Sequence, residues 1–151
     1  MSRTLSRTSA EIVVHTTKAP GFFDITDEVE QAVLASDVYE GFAVVFVRHT
    51  TAAIRINEDE PLLIADMTDF LKRMAPADAP YRHNNFTERT VNMMPDEWPN
   101  GHAHCQSLLL GASECIVIED RRLMLGPWQR IFLVELDHPR RREVLVKFVG
   151  G

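Results

Sequence analysis

The last third of the chain carries three short apolar runs, ECIVIED at residues 114–120, RIFLVEL at 130–136 and EVLVKFV at 143–149. Each is rich in β-branched or aromatic residues, the composition that suits a pleated, half-buried surface. Their connections are too short for the crossover that parallel strands require, so the simplest pairing is antiparallel. Three earlier runs, at residues 11–17, 42–49 and 52–57, read as strands on the same grounds.

Helical patterns stand between these runs. Val29, Ala32 and Val33 share a face over residues 27–35, with Asp24 or Thr26 as the N-cap. Pro61 suits a first turn, and Leu63, Met67, Phe70, Leu71 and Met74 recur at core-facing helical spacing. A third helix is predicted from about Asn100, a good N-cap residue, through Leu110 to a stop at Gly111. The expectation is an α+β class protein, an antiparallel β-sandwich with flanking helices, forming a single domain over residues 1–151. There is no G-x-G-x-x-G or P-loop to suggest a doubly wound nucleotide fold.

Composition narrows the function classes. At 151 residues and 45% hydrophobic content the chain has enough apolar surface for one core. The formal charge of −6 supplies no basic field for nucleic-acid phosphates, and no apolar run reaches the roughly 18 residues that span a bilayer. Cys105 and Cys115 form no C-x-x-C pair, which points to reduced, mostly buried thiols in the cytoplasm. The Ser/Arg-rich start, MSRTLSRTSA, lacks an apolar h-region and reads as a flexible or edge-pairing lead-in.

One stretch has no period. Residues 75–99 contain Pro76, Pro80, Pro95 and Pro99 among scattered polar residues, and loops this long usually serve a site or are disordered. Tyr81, Phe86 and Trp98 favour an ordered loop.

Candidate chemistry gathers on histidines. His49 ends a strand in V-R-H-T-T, His83 lies in the long loop, and His104 stands at the start of the third helix in N-G-H-A-H. Three imidazoles from three elements are the minimum for a divalent metal site with an open position, zinc first among the candidates. Spacing alone is weak evidence, because a satisfied or surface histidine is commoner than a ligand. His102 and His104 diverge by about 200° on a helix, which leaves His104 as the ligand and His102 at the rim. His15 and His138 read as ordinary strand and turn residues.

The helix start at Asn100 and Gly101 offers free N–H groups and a positive dipole end to a phosphate or carboxylate. Asn57 and Glu58 leave a strand just before the second helix; Glu58 serves as general base or fourth ligand if it reaches the imidazoles, or simply complements the helix dipole. Trp128 and Gln129, after the Gly126–Pro127 turn, are placed either to contact a ligand or to plug the core. The run Arg140, Arg141 and Arg142 reads as a solvated hairpin turn rather than a pyrophosphate clamp.

Taken in order, H-T-T-A-A-I-R-I-N-E, Y-R-H-N, N-G-H-A-H-C-Q-S-L-L-L-G, L-M-L-G-P-W-Q-R-I and D-H-P-R-R-R-E-V-L-V-K-F-V-G closely resemble the YjbQ-like family from about Phe42 to the C-terminus. The resemblance implies an antiparallel β-sandwich assembled as a homotrimer, with a pocket at His49, His83 and His104 that takes a metal or an oxyanion. It also implies a secondary thiamine-phosphate synthase activity, in which a hydroxymethylpyrimidine diphosphate joins a thiazole phosphate and releases pyrophosphate. In an enzyme reading, a metal on the three histidines polarises a phosphate or an attacking water, with Glu58 and His104 as catalytic groups; Asn57, Asn100, Gly101, Trp128 and Gln129 then hold a phosphorylated small molecule. The alternatives are a trimeric, non-catalytic binder of metal or an anionic metabolite, and a purely structural oligomer. Three positions depart from the family pattern: Pro127 replaces a small hydroxyl residue, and Arg121 and His138 replace turn glycines.

Overall fold

The structure is a computed structural model that describes residues 8–151. In chain order its elements are β1 (Ser9–His15), β2 (Gly21–Asp24), α1 (Thr26–Ala35), β3 (Gly41–Val47), β4 (Ala52–Glu58), α2 (Pro61–Met74), a single 3-10 turn (Arg82–Asn84), α3 (Gly101–Leu110), β5 (Ser113–Glu119), β6 (Arg122–Leu123), β7 (Gln129–Glu135) and β8 (Arg141–Gly150). The expected α+β class holds: three α-helices accompany two antiparallel sheets, one ordered β1-β8-β3-β5-β6 and the other β2-β7-β4. Residues 1–7 of the expected lead-in lie outside the described residues, and from Ser9 onward the segment pairs with the edge of β8.

The pairing of the last three runs differs from expectation. β5 and β8 flank β3 in the larger sheet, whereas β7 sits at the centre of the smaller one. The change of sheet occurs over residues 136–140. Glu135, the last residue of β7, and Arg142, near the start of β8, face each other across it.

One face of each sheet contributes to the main core: Ala43, Val45 and Val47 from β3, Val144, Val146 and Phe148 from β8, and Ile131 and Leu133 from β7. Val29 and Val33 of α1 pack into the same core. The intervening residues of β7, Phe132 and Val134, point the other way and join Ala53, Leu71 and Ala103 in a second core beneath α2 and α3. β7 is therefore buried on both faces, which explains why RIFLVEL reads as continuously apolar rather than alternating.

The helix ends follow local chemistry. The N-cap position of α1 is Ile25 rather than the expected Asp24 or Thr26 and gives no side-chain cap; Asp24, just before it, holds the helix start by accepting from the Thr26 N–H at 2.9 Å. Glu60 caps α2 by accepting from the N–H groups of Leu62 and Leu63 at 3.0 and 2.7 Å. The buried face of α2 runs through Ile64 and Leu71, while Phe70 and Met74 of the expected stripe are half exposed. α3 starts and stops as expected, but Asn100 makes no side-chain cap; Asn84 Oδ1 accepts from the Gly101 N–H at 2.9 Å instead. In the β5–β6 hairpin, Asp120 and Arg121 both have positive φ, 50° and 60°, where glycine is the usual residue. Arg121 occupies that conformation while its guanidinium donates to the carbonyls of Leu34 and Ser36 at the end of α1.

Glu135 and Arg142 are 0% and 1% exposed in their side chains, and their groups meet in a two-pronged pair at 2.6 and 2.8 Å. The Thr16 hydroxyl donates to Glu135 at 2.9 Å, the N–H groups of Leu136 and Asp137 donate at 3.1 Å, and Arg142 reaches the Thr51 carbonyl and hydroxyl. Removing one partner strands the other charge, so Arg142→Met is expected to destabilise the fold by about 3–5 kcal/mol. The double variant Arg142→Met/Glu135→Leu should recover much of that loss; urea unfolding in which the double variant is no more stable than the single one would contradict this account.

A second prediction concerns acid. Burial pushes the Asp24 carboxyl up, but hydrogen bonds from the Thr26 hydroxyl and N–H and from Arg130 outweigh it and hold the group below the usual carboxylate range. A carboxyl lowered by folding contributes stability that is present above its unfolded value, about 3.9, and is lost as pH falls through the folded one. The Asp24→Asn variant should be less stable near neutral pH and show a shallower acid limb when urea midpoints are followed down to strongly acidic pH. An unchanged acid limb would count against this role for Asp24.

Candidate functional site

Where the smaller sheet ends at Thr51 and Leu136, the chain opens a cavity of about 560 Å³ between the β7–β8 connection and the long loop. His83 and His104 both line it, with ring centroids 4.6 Å apart in an edge-to-face contact. α3 brings His104 to the wall one turn in from its start, and the 3-10 turn brings His83. Burial holds the His104 imidazole below the usual histidine range, with His83 and Arg89 pushing the same way against Asp137 and Glu97. The neutral form of the His104 imidazole is thereby favoured.

Of the remaining walls, Asn100 and Arg140 carried sequence expectations, whereas Arg89, Glu97 and Asp137 carried none. Asp137 is nearly buried and accepts from the Asn100 amide at 3.1 Å and from Arg140 at 3.2 Å. His138 stacks on Trp98 with centroids 4.6 Å apart and planes within 15°. This residue, expected to be an ordinary turn residue, is part of the cavity wall. The three consecutive arginines separate: Arg142 is buried against Glu135, Arg140 lines the cavity and Arg141 is exposed.

Arg89 organises the long loop. Its guanidinium grips both oxygens of Glu97 at 2.7 and 2.8 Å and also donates to the carbonyls of His83, Val91 and Asn92. Arg89 holds the Glu97 carboxyl below the usual range. The loop expected to be ordered is therefore tied together by one largely buried cation, and Tyr81 adds a hydroxyl donated to the Pro76 carbonyl. An arginine and a glutamate eight residues apart in aperiodic sequence give no pattern from which this could be read.

The predicted site residues fall into separate groups. His49 leaves the end of β3 as expected, but its Nε2 accepts from the Glu143 N–H at 3.3 Å and it is not among the cavity-lining residues. Burial and the nearby Arg142 and Arg140 hold its imidazole below the usual histidine range. Asn100 lines the cavity, whereas the Gly101 N–H is taken by Asn84. Gly101 is needed for a different reason: a Cβ there would stand 2.5 Å from the Tyr81 Cβ. His102 points away from the cavity towards Tyr81, with rings 6.4 Å apart, as the helical geometry predicts.

Asn57, Glu58, Trp128 and Gln129 lie at the opposite end of the smaller sheet, where Glu58 pairs in register with Gln129. A seven-residue strand separates them from Thr51, a distance of about 20 Å. Within one chain Glu58 cannot pass a proton to or from His104. Gln129 accepts from the Gly126 N–H, closing the turn, and Trp128 is largely exposed.

A zinc ion on three histidines needs all three nitrogens within about 2.1 Å of one point. Only two of the rings meet here, and among the described residues no group of three His, Cys, Asp or Glu side chains is placed to hold a metal. The side chains of this chain do not fit the expected metal.

Comparison with known proteins agrees with the fold. The family model for UPF0047 protein YjbQ-like matches residues 10–151. The chain is 39% identical to UPF0047 protein MJ1081 of Methanocaldococcus jannaschii, covering 91% of each chain. It is 36% identical to UPF0047 protein YugU of Bacillus subtilis, covering 91% of this chain and 96% of that one. Among solved structures it superposes on a YbjQ-like protein of unknown function from Sulfolobus solfataricus with a TM-score of 0.85, at 35% identity over 95% of this chain and 96% of the other. A family member from Clostridium acetobutylicum gives a TM-score of 0.81 at 39% identity, covering 93% and 99%. This chain belongs to the YjbQ-like UPF0047 family.

Proposed function

We propose that the cavity between the β7–β8 connection and the long loop binds a phosphorylated small molecule. The observation that carries this reading is the contact between His83 and His104 on the wall of a cavity that also presents Arg140 and Thr50. Imidazole, guanidinium and hydroxyl groups are the donors that recognise phosphate oxygens, and the 560 Å³ volume suits a metabolite. Asp137 orients Arg140 and Asn100 from below.

The turnover assigned to the site is the one the family resemblance implies, transfer of a hydroxymethylpyrimidine from its diphosphate to a thiazole phosphate. In that reaction the carbon–oxygen bond to the diphosphate breaks, a bond from the thiazole nitrogen to the same carbon forms, and the electron pair departs on pyrophosphate. Arg140 and the imidazoles would receive the charge of the leaving group. Glu58 has no part in the step within one chain. His104 would serve as the acid–base group.

A second reading, a homotrimeric binder without turnover, draws on a different feature. The outer face of the larger sheet exposes Phe42, Phe46, Val117 and Val149 on neighbouring strands, with no helix over it among the described residues. Contiguous apolar surface of this kind marks association surfaces. Among the described residues no helix is long and apolar enough to cross a membrane.

Titration calorimetry with inorganic pyrophosphate in EDTA should detect binding, and Arg140→Ala and His104→Ala should each weaken it by roughly tenfold or more. Binding that both variants leave untouched would place the ligand elsewhere. Turnover of the two phosphorylated substrates by the parent protein, abolished in His104→Ala, separates the enzyme from the binder.

For assembly, light scattering should give a trimer for the parent chain and a smaller species for Phe46→Glu. A monomeric parent, or a variant that still runs as a trimer, would overturn that use of the sheet face.

A further inference from the structure

His83 and His104 belong to elements that no sheet pairing aligns, since one sits on a 3-10 turn in the long loop and the other on α3. Their edge-to-face contact therefore needs a fixed join between loop and helix. Asn84 supplies it. Its Oδ1 accepts from the Gly101 N–H at 2.9 Å, across 17 residues of chain. Gly101 opens α3, where the first N–H groups have no partner within the helix, and Asn100 gives no side-chain cap there. The loop thus serves the helix end that the adjacent residue leaves open.

The join is short on both sides. Asn84 follows His83 directly, in a turn closed by the N–H groups of Asn84 and Asn85, which donate to the Tyr81 and Arg82 carbonyls at 3.0 Å. Gly101 precedes His104 by one turn of α3. The two elements also touch at this point, because a Cβ on Gly101 would stand 2.5 Å from the Tyr81 Cβ and 2.7 Å from its Cγ. Arg89 donates to the His83 carbonyl as well, but its other partners, Glu97 and the carbonyls of Val91 and Asn92, lie within the loop. Arg89 shapes the loop, and Asn84 fastens it to α3.

We infer that Asn84 is a positioning residue, setting His83 against His104 and so governing how that pair holds an anion; the last step rests on the phosphate reading of the cavity. Without the Asn84 amide, His104 stays on its helix while His83 is free to leave with the loop. Arg140, held by Asp137 on the opposite wall, keeps its place.

Nuclear Overhauser contacts between the His83 and His104 ring protons, assigned with His83→Ala and His104→Ala, read this juxtaposition without any ligand. They should be present in the parent chain and in Asn84→Asp, whose carboxylate keeps an acceptor for the Gly101 N–H, and absent in Asn84→Ala. Gly101→Ala, which keeps the Asn84 amide but forces Tyr81 off the helix, should lose them as well. Contacts that persist in folded Asn84→Ala or folded Gly101→Ala would overturn the inference.

Calorimetry with inorganic pyrophosphate in EDTA tests the link to binding. Asn84→Ala should weaken binding by roughly fivefold. Adding His83→Ala to it should then change the affinity by less than about twofold, whereas Arg140→Ala should cost as much in Asn84→Ala as in the parent. A His83→Ala effect of equal size in both backgrounds would also overturn the inference, because Asn84 would not be acting through that imidazole. Should Asn84→Ala fail to fold, Gly101→Ala carries both measurements. A parent chain that binds no pyrophosphate defeats the phosphate reading alone, and the ring contacts then decide the role of Asn84.

Discussion

The ion pair between Glu135 and Arg142 joins the two sheets at the point where the chain passes from one to the other. A buried pair contributes stability only when its geometry is good and its remaining lone pairs and protons are satisfied, and this one meets both conditions through Thr16, Thr51 and two backbone N–H groups. Its partners come from the end of β1, the start of β4 and the β7–β8 connection. Four strands are thus brought to one corner by a single pair of charges. An apolar pair of equal volume would fill the space without fixing where the connection runs. The polar pair fixes it, because Glu135 draws the N–H groups of Leu136 and Asp137 onto its own carboxylate.

The cavity is built on that corner. Thr51, held by Arg142, forms part of its wall, and Asp137, the residue after the turn, holds Asn100 and Arg140. Facing it, the long loop is organised around Arg89. Two guanidiniums, that of Arg142 buried and that of Arg89 largely so, are each engaged with a carboxylate and hold the two sides of the site, and Arg140 joins Arg89 on the cavity wall. The histidines work in a rigid setting where their ring nitrogens are already committed or partly desolvated. Such preorganisation suits recognition of a charged ligand, since the donors pay little ordering cost when it arrives.

Much of the fold was legible in sequence and the site only partly so. The six strand runs, the helix over residues 61–74 and the helix from Asn100 to Gly111 were set by local signals, namely β-branched clusters, a proline in the first turn and a glycine stop. The short β2 and β6 carried too few residues to show a period, and which sheet each strand joins depends on contacts distant in the chain. The same limit applies to the site. His83 and His104 were visible as residue types, but Arg89, Glu97, Asp137 and His138 acquire their roles only from tertiary placement. Glu58 and Trp128 were grouped with the histidines because they lie near motifs in the sequence, and a straight strand puts them at the other end of the sheet.

The two-sided burial of β7 bears on how the chain selects its register. Moving a strand by one residue normally exposes its apolar set, and that cost protects the pairing. In β7 both sets are apolar, so a slip would exchange Ile131 and Leu133 for Phe132 and Val134 with little change in hydrophobic burial. The ends of the strand discriminate instead. Arg130 must meet Asp24, the Ile131 N–H must reach the Thr26 hydroxyl, and Glu135 must find Arg142; a shift of one residue would break all three and leave two charges buried alone. The central strand of the smaller sheet is aligned by its polar termini, so the polar contacts act as a ruler for a stretch whose apolar sequence reads the same from either face.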